Sequence, residues 1–259
     1  LFLETHQNSV SPTIIGKTVI QEFIYQIAKE VNARSQSRTI SGLRSFFDFL
    51  IFENYRETNP LELIEAPKIG RKLPDTLSIS EIDTIVASID LGSPQGERNR
   101  AIIETLYSSG LRVSELINLK ISDLFFDEGF IKVTGKGDKQ RDVPVGSKAV
   151  KAIDDWLLRR VEIANEGETA LFVGKQGKRI NNSVIQKRLK YWAQQQGIDT
   201  NVYPHMMRHS FATHLVNNGV PIEIISKLLG HSSITVTEIY AKVRTETIEQ
   251  NYKEVMDKK

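Results

Sequence analysis

The 259 residues include no cysteine, which excludes a disulfide framework, a cysteine-based zinc ribbon and a cysteine nucleophile, and leaves the redox compartment unmarked. Long apolar runs are missing as well. The longest are a few residues, far short of the roughly 20 needed to span a bilayer, and no charged-then-apolar signal segment opens the chain. A cytoplasmic protein without a membrane anchor is the expectation. Neither sign of charge is in excess: 34 Lys and Arg stand against 32 Asp and Glu, a formal net charge of +2, which alone argues against a nucleic-acid partner. No phosphate-cradling glycine motif and no acidic cluster suited to Mg²⁺ occur, so no cofactor and no metal is expected. The first residue is Leu1 rather than Met, as in a trimmed fragment.

What is present is an ordinary globular composition, 40% hydrophobic, in a chain long enough for two domains of about 150 residues or fewer. Residues 13–31 and 36–54 carry apolar side chains at helical spacing. In the second stretch Leu43, Phe46, Phe47, Leu50 and Ile51 form the stripe, with Arg34, Arg38 and Arg44 read onto the opposite face. From Asn59 to Ser80 the pattern breaks into a basic linker with Pro60, Pro67 and Pro74, placing a domain boundary that gives residues 1–73 and 74–259. Ser80 followed by Glu81 and Asp83 reads as a helix start, and helices are expected near 80–90, 97–108, 112–119, 147–165, 182–196, 205–218, 221–229 and 245–257. Between them, Phe125 to Val145 falls into short runs broken by Glu128-Gly129 and Gly135-Lys136-Gly137-Asp138, the punctuation of a small antiparallel sheet with Lys136 in a hairpin turn. The fold class is mainly α with a small antiparallel β-sheet, the second domain being α+β.

The charge is unevenly placed. Between Thr169 and Ile222 seven basic residues, Lys175, Lys178, Arg179, Lys187, Arg188, Lys190 and Arg208, face a single acid, Asp199. The net +2 is therefore a +6 segment and a −4 remainder. Such a segment is either a solvated helix face or a phosphate-binding surface; Tyr191 and Trp192 beside it are read as core rather than stacking residues. Four of the five histidines, His205, His209, His214 and His231, cluster near the C-terminus. His205 and His209 have the spacing of a zinc pair, but the glutamate expected after the first is Met206, and Arg208 between them disfavours a cation. Arg112 and Glu115, three apart, are either a surface ion pair or a buried arginine whose planar fork is aimed at phosphate. Tyr240 is either core or a nucleophile; its phenol lies about 4 kcal/mol from ionisation at pH 7, a gap that nearby cations and a base can close.

Four segments carry more together than apart: SGLRVSEL at 109–116, TGKGDKQR at 134–141, HMMRHSFATHL at 205–215 and LLGHSSITVTEIY at 228–240. In order and spacing they resemble the motifs of tyrosine recombinases of the phage integrase family, most of all the bacterial Xer-type enzymes, over about residues 36–250. The resemblance implies an N-terminal helical core-DNA-binding domain and a C-terminal catalytic domain clamping double-stranded DNA. It implies that Arg112 and Arg208 hold the scissile phosphate and that His205 and His231 hydrogen-bond to it. Tyr240 is then the nucleophile that forms a 3′-phosphotyrosyl intermediate, Lys136 protonates the leaving 5′-oxygen, and Glu115 orients its neighbours.

Arg34, Arg38, Arg44, Lys187, Arg188 and Lys190 are candidate DNA contacts, with solvated surface as the alternative for each. A homo- or hetero-tetramer on two DNA sites is implied, with a C-terminal helix exchanged between protomers; residues 245–257 are the candidate, intramolecular packing the alternative. Xer-type enzymes carry about one further helix before the position of Thr13, so the first domain is expected to lack it. Resolution of chromosome or plasmid dimers is the leading role, with a mobile-element integrase or transposase behind it. A DNA-binding protein that kept the fold without the chemistry is the rival from another class, and a type IB topoisomerase-like nicking and closing activity the rival among enzymes.

Overall fold

The computed structural model describes residues 11–67 and 75–230, with the backbone alone at Lys136. The chain divides into two compact units, Leu1–Lys72 and Leu73–Lys259.

In the first unit, α1 (Lys17–Glu30) and α2 (Ala33–Phe52) bury Ile20, Ile24, Ile40, Phe47 and Leu50 against Ile15 and Leu61. α1 begins at Lys17 rather than near 13 because the Ser11 carbonyl accepts the N–H groups of both Ile14 and Ile15, closing a turn ahead of Gly16. The stripe on α2 is narrower than its sequence suggests. Phe46 is 43% exposed, whereas Arg44, four residues after the buried Ile40, sits half-buried at the edge of the stripe and donates to the Ile64 carbonyl (2.8 Å). Arg34 and Arg38 are exposed.

The second unit begins with α3 (Ile79–Ala87). Its N-cap is Ser78, not Ser80: Ser78 Oγ accepts the Glu81 N–H, and Glu81 returns to the Ser78 N–H, a reciprocal box that satisfies two orphan donors. α4 (Pro94–Ser109) is the hub and packs against both α6 (Ser147–Arg160) and α8 (Pro204–Asn217). It therefore buries residues around most of its circumference, among them Ala101, Ile102, Ile103, Thr105 and Leu106. α5 (Val113–Asn118) follows after three residues. Strands β1 (Leu124–Phe125), β2 (Phe130–Thr134) and β3 (Gln140–Pro144) form an antiparallel meander in the order β1-β2-β3. Ile131, Val133 and Val143 face the core, as the two-residue period requires.

α6 stops at Arg160 rather than running to 165, because the chain turns back and the Asn165 N–H bonds to the Gly177 carbonyl (3.0 Å). α7 (Asn182–Gln195) and α9 (Ile222–Leu229) complete the described helices. No helix among the described residues is long and apolar enough to cross a membrane.

Where α4 ends, Gly110 adopts the left-handed conformation (φ 56°). A Cβ there would lie 2.4 Å from the Phe211 ring and 2.9 Å from Leu229, so α4, α8 and α9 meet where no side chain fits. Gly110→Ala combines left-handed strain with overpacking. The expected result is a loss of about 2–4 kcal/mol in unfolding free energy, measured by urea titration of purified protein.

Candidate active site

The left-handed turn at Gly110 directs the chain so that Arg112 becomes the N-cap of α5 and Glu115 its third residue. Glu115 is 3% exposed, a burial a carboxylate tolerates only when paired. Its Oε2 accepts the Arg112 backbone N–H (2.8 Å) and its Oε1 accepts Arg112 Nη1 (2.9 Å). Arg141, reaching in from β3, adds a two-pronged pair, Nη1 to Oε1 at 2.8 Å and Nη2 to Oε2 at 3.0 Å. From α8, Arg208 Nη1 lies 3.8 Å from Oε2. Burial pushes the Glu115 carboxyl up, but the hydrogen bonds from Arg141 and Arg112 and the Arg141 charge outweigh it and hold the group below its ordinary value.

The same three arginines close the end of α9, whose last carbonyls have no partner within the helix. Arg208 Nη2 donates to Leu229 O (2.6 Å), Arg141 Nε to Leu228 O (3.1 Å), and Arg112 Nη1 and Nη2 to Leu229 O (3.4 Å) and Gly230 O (3.3 Å). Arg208 Nη1 also takes the Gly110 carbonyl (2.8 Å). Three guanidiniums against one carboxylate leave a local excess of two positive charges. That suits a phosphodiester, and suits still better the dianion that forms when a fifth oxygen joins phosphorus. The Arg112 side chain is 35% exposed, against 5% for Arg208, so Arg112 is the more open of the two.

His205 is exposed in the first turn of α8. Partial burial first, then the charges of Arg208 and Arg112, hold its imidazolium below the ordinary pKa of 6.5, so the ring is neutral at pH 7 and able to accept a proton. His209, one turn on, is lowered by burial, His205 and Arg208. His214 leaves this group and pairs through Nδ1 with the Tyr107 hydroxyl (2.8 Å). Among the described residues, no three His, Cys, Asp or Glu side chains gather as a metal site. Lys136 opens the tight turn between β2 and β3. His231, Tyr240 and residues 245–257 lie outside the described residues.

Lys187, Arg188 and Lys190 are exposed on α7. Lys187 and Arg188 line a cleft of about 620 Å³ with Arg98, Lys175, Lys178 and Arg179, and without an acid. Tyr191, read from sequence as core, is 50% exposed and lines the same cleft, whereas Trp192 is buried. Two residues escaped the sequence reading. Arg141 shares its strand face with the buried Val143, and an arginine at an inward strand position is the signal that marks it. Arg98, 2% exposed on α4, spends its guanidinium on neutral acceptors, donating to Val173 O and Asn99 Oδ1.

The family model described as the phage integrase family matches residues 75–247, the span that holds every element of this site. The chain belongs to the phage integrase family. It is a tyrosine recombinase, an enzyme of DNA strand breakage and rejoining. Curated members similar to it include tyrosine recombinase XerC of Escherichia coli O139:H28, 39% identical over 224 residues covering 86% of this chain and 74% of that one. Tyrosine recombinase XerD of Listeria innocua is 35% identical over 260 residues, 98% of this chain and 86% of that one.

Among solved family members, XerA recombinase matches with 30% identity and a TM-score of 0.61, covering 96% of this chain and 87% of that one. The XerH site-specific recombinase bound to a palindromic difH substrate in a post-cleavage complex shares the fold, with a TM-score of 0.79 at 24% identity over 93% of this chain and 73% of that one.

Because the folded carboxyl of Glu115 is depressed, its stabilisation is present above the ordinary value of 4.5 and is lost as pH falls through the folded pKa. Glu115→Gln should cost about 3 kcal/mol of unfolding free energy at pH 7. The gap to wild type should narrow below pH 4.5 in denaturant titrations across pH.

Proposed function

We propose that this tyrosine recombinase is a Xer-type site-specific enzyme that resolves chromosome or plasmid dimers in the cytoplasm. The observation that carries the reading is the convergence of Arg112 and Arg208 on one buried carboxylate, Glu115, beside a neutral His205. Similarity to XerC and XerD proteins favours dimer resolution over a mobile-element role.

In this reading Arg112 and Arg208 hold the non-bridging oxygens of the scissile phosphate, assisted by His205 and His231. The Tyr240 oxygen attacks phosphorus while His205 takes the phenolic proton. The bond from phosphorus to the 5′-oxygen breaks, and that oxygen receives a proton from Lys136. One phosphoester replaces another, so the bond energy is kept in the 3′-phosphotyrosyl link and neither ATP nor a metal is required. Attack by a 5′-hydroxyl reverses the step. Residues 1–73 act as the core-DNA-binding domain, with Arg34 and Arg38 as phosphate contacts; Arg44 is the weaker candidate, since it is tied to Ile64. The acid-free cleft bearing Lys187 and Arg188 supports a second phosphate-binding surface on the catalytic domain, with Lys190 further along α7. Two DNA sites and four protomers form the assembly, linked by exchange of the helix at 245–257.

A duplex nicked next to the cleavage point lets the short fragment that carries the freed 5′-hydroxyl diffuse away and traps the covalent adduct. Wild type should give a protein–DNA adduct in denaturing gels and Tyr240→Phe none; adduct from the Phe variant overturns the nucleophile assignment. Arg112→Ala or Arg208→Ala should bind DNA but form adduct about 10²–10³-fold more slowly. Lys187→Ala with Arg188→Ala should weaken DNA binding and flatten the slope of log K against log salt by about 1 per lost phosphate contact, while an unchanged slope removes α7 from the interface.

A further inference from the structure

Arg141 lies outside the set just assigned, yet its contacts reach three parts of the site. It stands on β3, paired with Val133 of β2, five residues beyond Lys136. Two of its N–H groups run in parallel to the two oxygens of Glu115, and Nε goes to the Leu228 carbonyl. Its guanidinium lies flat against Gly230: a Cβ there would be 3.0 Å from Arg141 Cζ and Nε. At the foot of the hairpin, a Cβ on Gly135 would sit 3.6 Å from both Arg141 Nη1 and Glu115 Oε1. One planar group thus touches the hairpin that carries Lys136, the carboxylate that holds Arg112, and the helix end that leads into His231.

With its fork spent on Glu115 and its Nε on Leu228, Arg141 has only two of its five N–H donors left and cannot offer a two-pronged grip to phosphate. A carboxylate gripped from one side by Arg141 has fixed lone pairs on the other, and those are what the Arg112 backbone N–H and Nη1 use. We propose that Arg141 is a positioning residue for strand cleavage, acting through Glu115 to hold Arg112 and Arg208 in register with the scissile phosphate. This rests on the assignment of Arg112 and Arg208 as the phosphate clamp.

The experiment measures single-turnover adduct formation on the nicked duplex, together with DNA affinity by gel shift, for the full chain carrying Arg141→Ala or Arg141→Lys, each with and without Glu115→Gln. Misplacing a reacting group by about 1 Å costs about 100-fold, so Arg141→Ala should slow adduct formation about 100-fold at unchanged affinity. Arg141→Lys keeps the charge but loses the fork, and should recover part of the rate. In the Glu115→Gln background, Arg141→Ala should cost less than about 3-fold further, because the route through Glu115 is already gone.

Full additivity in the double variant, a loss of affinity equal to the loss of rate, or a wild-type rate in Arg141→Ala overturns the proposal. If Arg141→Ala fails to fold, as read by circular dichroism, the same comparison with Arg141→Lys decides. Wild type without adduct, or adduct from Tyr240→Phe, overturns instead the functional reading on which it rests.

Discussion

The second unit is organised around a carboxylate that has been taken out of water. Glu115 is nearly inaccessible, and a lone buried charge of that kind is intolerable without partners in contact. Arginines from α5, β3 and α8 supply them. Elements distant in sequence thereby meet at one point, and the requirement runs both ways. Without the carboxylate, three guanidiniums would repel one another within a few ångströms; without the arginines, the carboxylate would protonate or the segment would open.

Because one negative charge answers three positive ones, the cluster is left electrostatically unfinished. The α9 carbonyls absorb part of the excess as hydrogen-bond acceptors and partial charges, and the remainder suits a phosphate. The protein thus holds in the folded state a charge arrangement that an anion with phosphodiester chemistry would complete. The contacts from Arg112 to Leu229 and Gly230, at 3.4 and 3.3 Å, are the longest hydrogen bonds in the cluster and the easiest to give up to an incoming oxygen. His205, kept neutral by partial burial first and then by the charges of Arg208 and Arg112, is left able to accept a proton.

Much of this was legible in the sequence, for physical reasons that can be named. Helical periodicity located α2 and α7 to within a few residues, because each buries one stripe. The glycine-bearing turns marked β2 and β3. The Arg112-Glu115 spacing raised the ion pair, but spacing of three is equally common on a wet surface; only the burial of Glu115 decides between the two. Arg141 escaped because its partner is 26 residues away in sequence: its inward strand position marks it, but no local pattern names what it pairs with. Tyr191 was misread because an aromatic beside a buried tryptophan looks like core, while helical rotation of 100° per residue places neighbours on different faces. Arg44 was misjudged similarly: at the margin of the stripe its guanidinium finds a backbone carbonyl before it finds solvent.

Gly110 sets a tolerance on the whole arrangement. Its carbonyl is held by Arg208, and its missing side chain is the space into which Phe211 and Leu229 fit. Three helices are therefore separated at this point by the thickness of a bare backbone, and the spacing between the arginine of α8 and the arginine that follows α4 is set by that thickness. The scale of the site is fixed, in effect, by a methyl group that is not there.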